Sequence, residues 1–278
     1  MKLLDHSYGK ARVRVMKVIR RGAQHSVKEL DVTIMLQGQF AASYTRADNR
    51  LVVATDTMKN TVNVLAHRLL GAETEPFGLA LAEYFLKSHR QIAQVNIRLT
   101  ERAWERINVH GRAHAHSFTA SNGARAFAEV TATRRAAEVQ SGIEDLLVLK
   151  TTASEFKGFA RDAFTTLRET DDRVFCTKIN AAWTYAKLPS SYARPNQKIV
   201  EALLKVFATT HSPSVQVTLF QMGEAALKAV AGISKISLAL PNKHCLLIDL
   251  APFGVVNRQE LFVPTDEPHG QIEGTVAR

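Results

Sequence analysis

Residues 12–40 impose the first constraint on this chain, because apolar and polar side chains alternate along them with the period of an extended strand. Val13-Arg14-Val15 and Lys17-Val18 form one such run, and Val27 to Phe40 forms a second after a turn containing Gly22. The spacing predicts two antiparallel strands. Beyond the polar turn Arg46-Ala47-Asp48-Asn49, the apolar segment Leu51-Val52-Val53-Ala54 runs into Thr55-Asp56-Thr57. Met58, Val62, Leu65 and Leu69 then recur at helical spacing as far as Gly71. Pro76 opens a second predicted helix, with Leu79, Ala82, Phe85 and Leu86 along one face.

Val95 to Leu99 alternates again as a strand. His114–Phe118 and Ala124–Thr133 follow as two more, with Asn122-Gly123 expected to join them as a primed hairpin turn. The same order then recurs. Ile143–Lys150 and Arg173–Tyr185 read as strands. Ile199, Leu203 and Val206 mark a helix, and Leu219, Met222, Ala226 and Val230 mark another. Ile236–Leu240 and Cys245–Leu250 are expected to close the unit as paired strands across Pro241–His244. The chain therefore reads as an α+β protein of two β-β-α-α-β-β halves, 1–140 and 141–278, alike in element order but not demonstrably in residue identity.

Composition narrows the function classes. The 278 residues are 46% hydrophobic and 22% charged, as in an ordinary globular chain. No apolar run reaches the roughly 18 residues of a membrane helix. The start, Met1-Lys2-Leu3-Leu4-Asp5-His6, lacks the apolar stretch of a secretory peptide, and Cys176 and Cys245 supply neither a disulfide framework nor a Cys-x-x-Cys metal motif. A cytoplasmic, membrane-free protein is expected. The formal net charge of +10 favours anionic partners. Its basic residues are scattered, with short clusters such as Arg20-Arg21 and Arg134-Arg135 in strand-like segments, so no nucleic-acid footprint is expected.

Three segments ask for a chemical reason. Residues 153–173 are too long for an ordinary connection and carry Phe156, Phe159 and Phe164 among many charges. They read either as a small satellite core or as a site where a phenyl ring stacks on a planar ligand while Arg161 or Arg173 grips an anion. Thr55 and Asp56 lie where a strand-like segment meets a helix N-terminus, a place suited both to capping and to anion binding. Ser214-Val215-Gln216 is expected in the matching place before the last helix. His114-Ala115-His116 puts two imidazoles on one face of a strand, but no third ligand accompanies them locally, so no metal site is expected. Glycine-rich nucleotide-binding and serine-nucleophile motifs are absent.

Taken together, YGK at 8–10, VVATDTMKNT at 52–61, HAHSF at 114–118, FKGFARDAFTTLRETDDR at 156–173, SVQ at 214–216 and LPNKH at 240–244 resemble the urate oxidase, or uricase, family. The match is in order and spans about residues 8–250. The resemblance implies a tunnelling fold (T-fold), with two tandem halves per chain and four chains assembled into a barrel. It also implies oxidation of urate by O2 to 5-hydroxyisourate and hydrogen peroxide without metal or organic cofactor. Carried over through the motifs, a proton relay falls on Lys10, Thr55 and His244. Substrate contacts fall on Thr55, Asp56, Phe156, Arg173, Val215, Gln216 and Asn242, with each site completed across a chain interface.

Two features depart from that pattern. Lys157 and Asp171 stand where bulkier or aromatic residues are common, which bears on the pocket wall. The end Gly274–Arg278 lacks the Ser-Lys-Leu peroxisomal address, in keeping with a bacterial cytoplasmic enzyme. The rival reading is a purine- or pterin-binding protein of the same fold without turnover. It would require Phe156, Arg173 and Gln216 but not Lys10 and His244.

Overall fold

The computed structural model describes residues 1–278 and divides them into two units, Met1–Gly142 with Thr184–Ala193, and Ile143–Trp183 with Arg194–Arg278. The protein is α+β. No helix is long and apolar enough to cross a membrane.

In the first unit, β1 (Tyr8–Arg21) and β2 (Gln24–Gly38) form the long hairpin, turning at Gly22, whose φ of 59° suits a residue without a side chain. A short α1 (Ala41–Arg46) precedes α2 (Thr55–Leu69) and α3 (Glu75–Ser88). Next come β3 (Ile92–Arg102), β4 (Trp104–Val109), β5 (Arg112–Ala120) and β6 (Arg125–Thr133). The main sheet runs β1-β2-β3-β6, antiparallel at each pairing.

Alternation sorts its faces. Leu30, Val32, Ile34 and Leu36 of β2 are wholly buried, as are Val95 and Leu99 of β3. Met58 and Val62 of α2 and Phe77, Leu81 and Phe85 of α3 complete that core. Gly78 lets α3 lie close to the sheet, because a Cβ there would stand 2.8 Å from a Leu99 methyl and 2.9 Å from a Val130 methyl. Lys17 closes the far end of α2, donating to the carbonyls of Ala66, His67 and Leu70 in its last turn, of which Ala66 O also accepts the Leu70 N–H at 3.2 Å.

Strand β7 (Ala137–Lys150) passes from the first unit into the second. There β8 (Phe175–Tyr185), α4 (Ala193–Thr209), α5 (Val215–Ala229), β9 (Ile233–Ala239) and β10 (Asn242–Lys243) follow. The chain closes with β11 (Cys245–Leu247), β12 (Phe262–Pro264) and β13 (Glu273–Ala277). The sheet order is β7-β8-β9-β13, with β10 on β8. Ile199, Leu203 and Phe207 of α4 and Val215, Leu219 and Met222 of α5 supply the buried faces. Phe175 packs on Phe207 at 5.3 Å between ring centroids.

Three expected arrangements are corrected. The segment 114–118 does not pair with 124–133. It lies in β5, which pairs with β4 across His110-Gly111, while β6 pairs with β3. His110 and Gly111 take φ of 48° and 76°, the left-handed pair that a primed turn needs, whereas neither Asn122 nor Gly123 does. Secondly, β9 pairs with the C-terminal β13, while β11 pairs with β12, because Asn242-Lys243 leaves to join β8. Thirdly, the helix starts at 55 and 215 are not equivalent: Thr55 opens the first long helix of its unit and Val215 the second.

Candidate active site

In the first unit the YGK tripeptide at 8–10 ties β1 to the start of α2. The Tyr8 hydroxyl accepts the Val53 N–H at 2.7 Å, and its ring meets Phe40 edge-on at 4.8 Å. Burial raises the Tyr8 hydroxyl pKa, and the hydrogen bond from Val53 partly offsets this. Gly9 has no alternative, since a Cβ there would stand 1.7 Å from the Ile34 carbonyl oxygen. Lys10 follows, opposite Ile34 and half-buried.

Thr55 and Asp56 are exposed at the first turn of α2, and the expected capping role is not what either performs. Ala54 is the N-cap and makes no side-chain hydrogen bond to the first N–H groups. The Asp56 carboxylate pairs with Lys59 and accepts from Asn60 Nδ2 at 2.9 Å. Its pKa is lowered chiefly by Lys59, with Lys10 contributing through its charge, so the Lys10 ammonium and the start of α2 share one electrostatic neighbourhood. The Lys10 charge thus reaches Asp56, the residue after Thr55.

In the second unit the 153–173 segment is ordered by its own backbone. Phe156 and Thr170 exchange N–H···O bonds at 3.0 and 3.2 Å, and the Arg173 N–H donates to Ser154 O at 2.8 Å. Asp172 braces the same turn, accepting from Thr152 Oγ1 at 2.6 Å and from the Ser154 N–H at 3.3 Å. Those contacts hold its carboxyl below the usual range, that from Thr152 foremost.

The segment is also laced to the start of α5. Glu155 N–H donates to Ser212 O, and Ser212 N–H to Ala153 O, both at 2.9 Å. Ser212 Oγ lies 2.6 Å from Thr218 Oγ1 and 3.2 Å from Ser214 O, and Ser214 caps α5 by accepting the Val217 N–H at 3.2 Å. Phe156 and Arg173 are thereby linked through the backbone to Val215, which is buried, and Gln216, which is exposed.

Arg173 is the chemically unusual member. Its guanidinium carbon lies 5.6 Å from the Phe156 ring centroid, while its Nε is buried and meets no hydrogen-bond partner in the chain. Burial lowers its pKa from the ordinary arginine value, although a guanidinium remains charged. A buried cationic donor without an acceptor is costly, and an anion with an in-plane acceptor would remove that cost. Phe156 also stacks on Phe159, at 5.0 Å and 9° between planes. Arg161, the other candidate anion grip, instead donates to Leu167 O at 3.3 Å and lies 5.4 Å from the Phe159 ring centroid.

Asn242 and His244 flank Lys243 at the end of the second unit's β10. Asn242 pairs with Thr177 of β8, and its N–H donates to Gly270 O at 2.7 Å. His244 is half-buried and its carbonyl accepts from both Thr265 N–H and Oγ1, at 2.8 and 3.0 Å, leaving the imidazole free of backbone duties. Lys243 between them pairs with Asp266.

The uricase family model matches residues 6–131 and 139–273. Uricase from Arthrobacter globiformis is 41% identical over 274 residues, covering 99% of this chain and 89% of that protein. Uricase from Dictyostelium discoideum is 39% identical over 279 residues, covering 99% and 97%. The crystal structure of the A. globiformis uricase superposes with a TM-score of 0.96 at 40% identity, covering 100% of this chain and 95% of that one. This chain belongs to the uricase family.

Within that family frame, Lys157 and Asp171 acquire a local explanation. They flank the Phe156–Thr170 bridge and form an ion pair with each other, with Lys157 also 3.6 Å from Glu155. His114 and His116 serve locally as well. Their rings meet edge-on at 4.6 Å, and the His116 N–H donates to His114 Nδ1 at 3.4 Å. No group of three or more His, Cys, Asp or Glu side chains that could hold a metal ion occurs.

Sequence reasoning did not single out Asp172 as the brace of the loop, or Tyr8 and Gly9 individually as the link from β1 to α2. A carboxylate next to a candidate Arg, and a glycine before a candidate Lys, were the available signals.

Proposed function

We propose that the chain is a cofactor-independent urate oxidase, converting urate, O2 and water to 5-hydroxyisourate and hydrogen peroxide. We place it on a T-fold of two tandem halves, working as a four-chain barrel with sites completed at chain interfaces. The observation that carries the reading is the buried, unpartnered Arg173 Nε beside the Phe156 ring. A planar anion with edge acceptors is the ligand whose shape and charge meet both groups.

Urate is flat, weakly acidic and rimmed with carbonyls and ring N–H groups. Arg173 and the Gln216 carboxamide clamp its edge, Phe156 stacks on its face, and the backbone at Val215 with Thr55 and Asp56 completes the rim. Triplet O2 does not combine with a closed-shell molecule in one allowed step, so electrons pass singly. A substrate stripped of protons is rich enough in electrons to supply both of them itself.

Lys10 takes the proton through the Thr55 hydroxyl and a water, with His244 tuning the ammonium, and the relay then returns protons to the reduced oxygen. Asn242 holds O2 above the ring and later the attacking water. The balance closes: urate loses two electrons, O2 gains two electrons and two protons to become hydrogen peroxide, and water supplies the new hydroxyl.

The test is turnover by purified, metal-free protein in air, read as loss of urate absorbance with one peroxide formed per urate consumed. Lys10→Met is expected to abolish most turnover while a non-oxidisable purine analogue still binds. Tight urate binding without turnover in the wild-type chain would overturn the reading in favour of a binding protein. Light scattering with activity measured on dilution tests the four-chain site.

A further inference from the structure

Lys10 stands on the face of β1 opposite to the one that strand parity assigns it. Val13 and Val15 lie opposite Val32 and Leu30, which are wholly buried, so the odd-numbered residues of this stretch point into the core. Arg14 and Met16 point outward, with Met16 60% exposed. Counting back by twos from Arg14 would send Lys10 outward as well.

The register prevents this. Between Lys10 and Val13 the pairing slips by one, so that Ala11 and Arg12 together face a single residue, Thr33, and Lys10 falls opposite the buried Ile34. One extra residue reverses the parity of everything before it. Tyr8 and Lys10 consequently share the helix-covered face, which the Tyr8–Val53 hydrogen bond and the influence of Lys10 on Asp56 both reflect.

A side chain of the neighbouring strand grips the extra residue. Arg12 takes a left-handed φ of 58°, rare for a residue with a side chain, and its N–H donates to Thr33 Oγ1 at 3.3 Å. The Arg12 side chain itself extends into solvent, 3.9 Å from Asp31.

We propose that Thr33 is a positioning residue for turnover, whose hydroxyl pins the bulge in β1 and so aims Lys10 at the N-terminus of α2. The inference rests on the reading of Lys10 as the proton acceptor.

The second unit carries a similar left-handed residue whose N–H meets a side chain of a different strand. Asp145 of β7 has φ 61°, its N–H donates to Asn180 Oδ1 at 3.0 Å, and it lies 3.5 Å from Lys178. The residue two positions earlier is Ile143, a buried core side chain. This site is therefore a built-in control.

Thr33→Val is isosteric and favours strand, so the fold should persist while the acceptor is lost. We expect kcat to fall roughly 30- to 100-fold, as for a catalytic group displaced by about 1 Å. KM and purine-analogue affinity should stay within about threefold, and Thr33→Ser should restore most of the rate. Amide exchange at Arg12 should accelerate in Thr33→Val and recover in Thr33→Ser, independently of activity. Asn180→Ala should lower thermal stability without a comparable fall in kcat.

Unchanged kcat or unchanged Arg12 exchange in Thr33→Val would overturn the proposal, as would equal losses of kcat in Thr33→Val and Asn180→Ala. Lys10→Met separates the two levels. If it retains turnover, the relay reading itself fails. If it is inactive while Thr33→Val is fully active, only the positioning role falls.

Discussion

The Val53 N–H and the Tyr8 hydroxyl, 2.7 Å apart, fasten the strand carrying Lys10 to the turn that opens the helix carrying Thr55. Their sequence separation means that neither local propensity nor helix capping could create the link, and Val53 is nearly buried, so water does not readily replace a lost acceptor.

Tyr8→Phe keeps the edge contact with Phe40 and removes only the acceptor. Leaving the Val53 donor unpaired should cost about 1–2 kcal/mol of folding stability. In urea unfolding the midpoint is expected to fall at constant m, and kcat to fall more than KM rises. A variant with wild-type stability would show that the hydrogen bond is replaced by solvent.

Gly9→Ala should be among the most destabilising single-methyl changes in the chain. The added Cβ would meet the Ile34 carbonyl oxygen at 1.7 Å, and that atom belongs to the paired backbone of β2, so no side-chain rotation can relieve the clash. The β1–β2 ladder must splay beside Lys10, at a cost on the order of 3 kcal/mol. Thermal unfolding and amide exchange across Met35 and Leu36 would register it.

Arg173→Lys retains the charge but loses the planar fork, including the orphaned Nε. Affinity for an anionic purine analogue should weaken by about 1.5–3 kcal/mol, or roughly 10- to 150-fold. Calorimetric titration would measure it. Equal affinity in the two proteins would mean that Arg173 acts only as a diffuse charge.

Asp172 ties a pH dependence to the loop that carries Phe156 and Arg173. Its carboxyl pKa is lowered in the folded chain, first by Thr152 and, after an opposing influence of burial, further by backbone N–H groups. A depressed folded pKa contributes stability that is fully present above the unfolded aspartate value of about 3.9 and is lost as pH falls through the folded value. Analogue affinity should therefore hold steady from neutral pH down to about pH 5 and decline only in the acid range. Asp172→Asn should show weaker binding at neutral pH and a flatter acid limb, measured by fluorescence titration. An acid limb unchanged by the substitution would assign it to other carboxylates.

The single sequence was sufficient for what depends on local period and residue chemistry. Alternation along 12–40 and helical spacing from Met58 to Leu69 announced β1, β2 and α2, since burying one face of either element needs nothing beyond the right repeat. The ordered motifs pointed to the family, and through it to Lys10, Phe156, Arg173 and Asn242.

Partner choice was not legible in the same way. Asn122-Gly123 reads as the turn from sequence, but β6 pairs with β3 and β5 folds back onto β4 across His110-Gly111. The direction of Lys10 was equally hidden, because parity along a strand is a local property only until an extra residue breaks it, and that residue is held by Thr33 on a different strand. Periodicity tells a side chain that it must face something. Which neighbour it faces depends on groups distant in sequence, and only the folded chain brings those together.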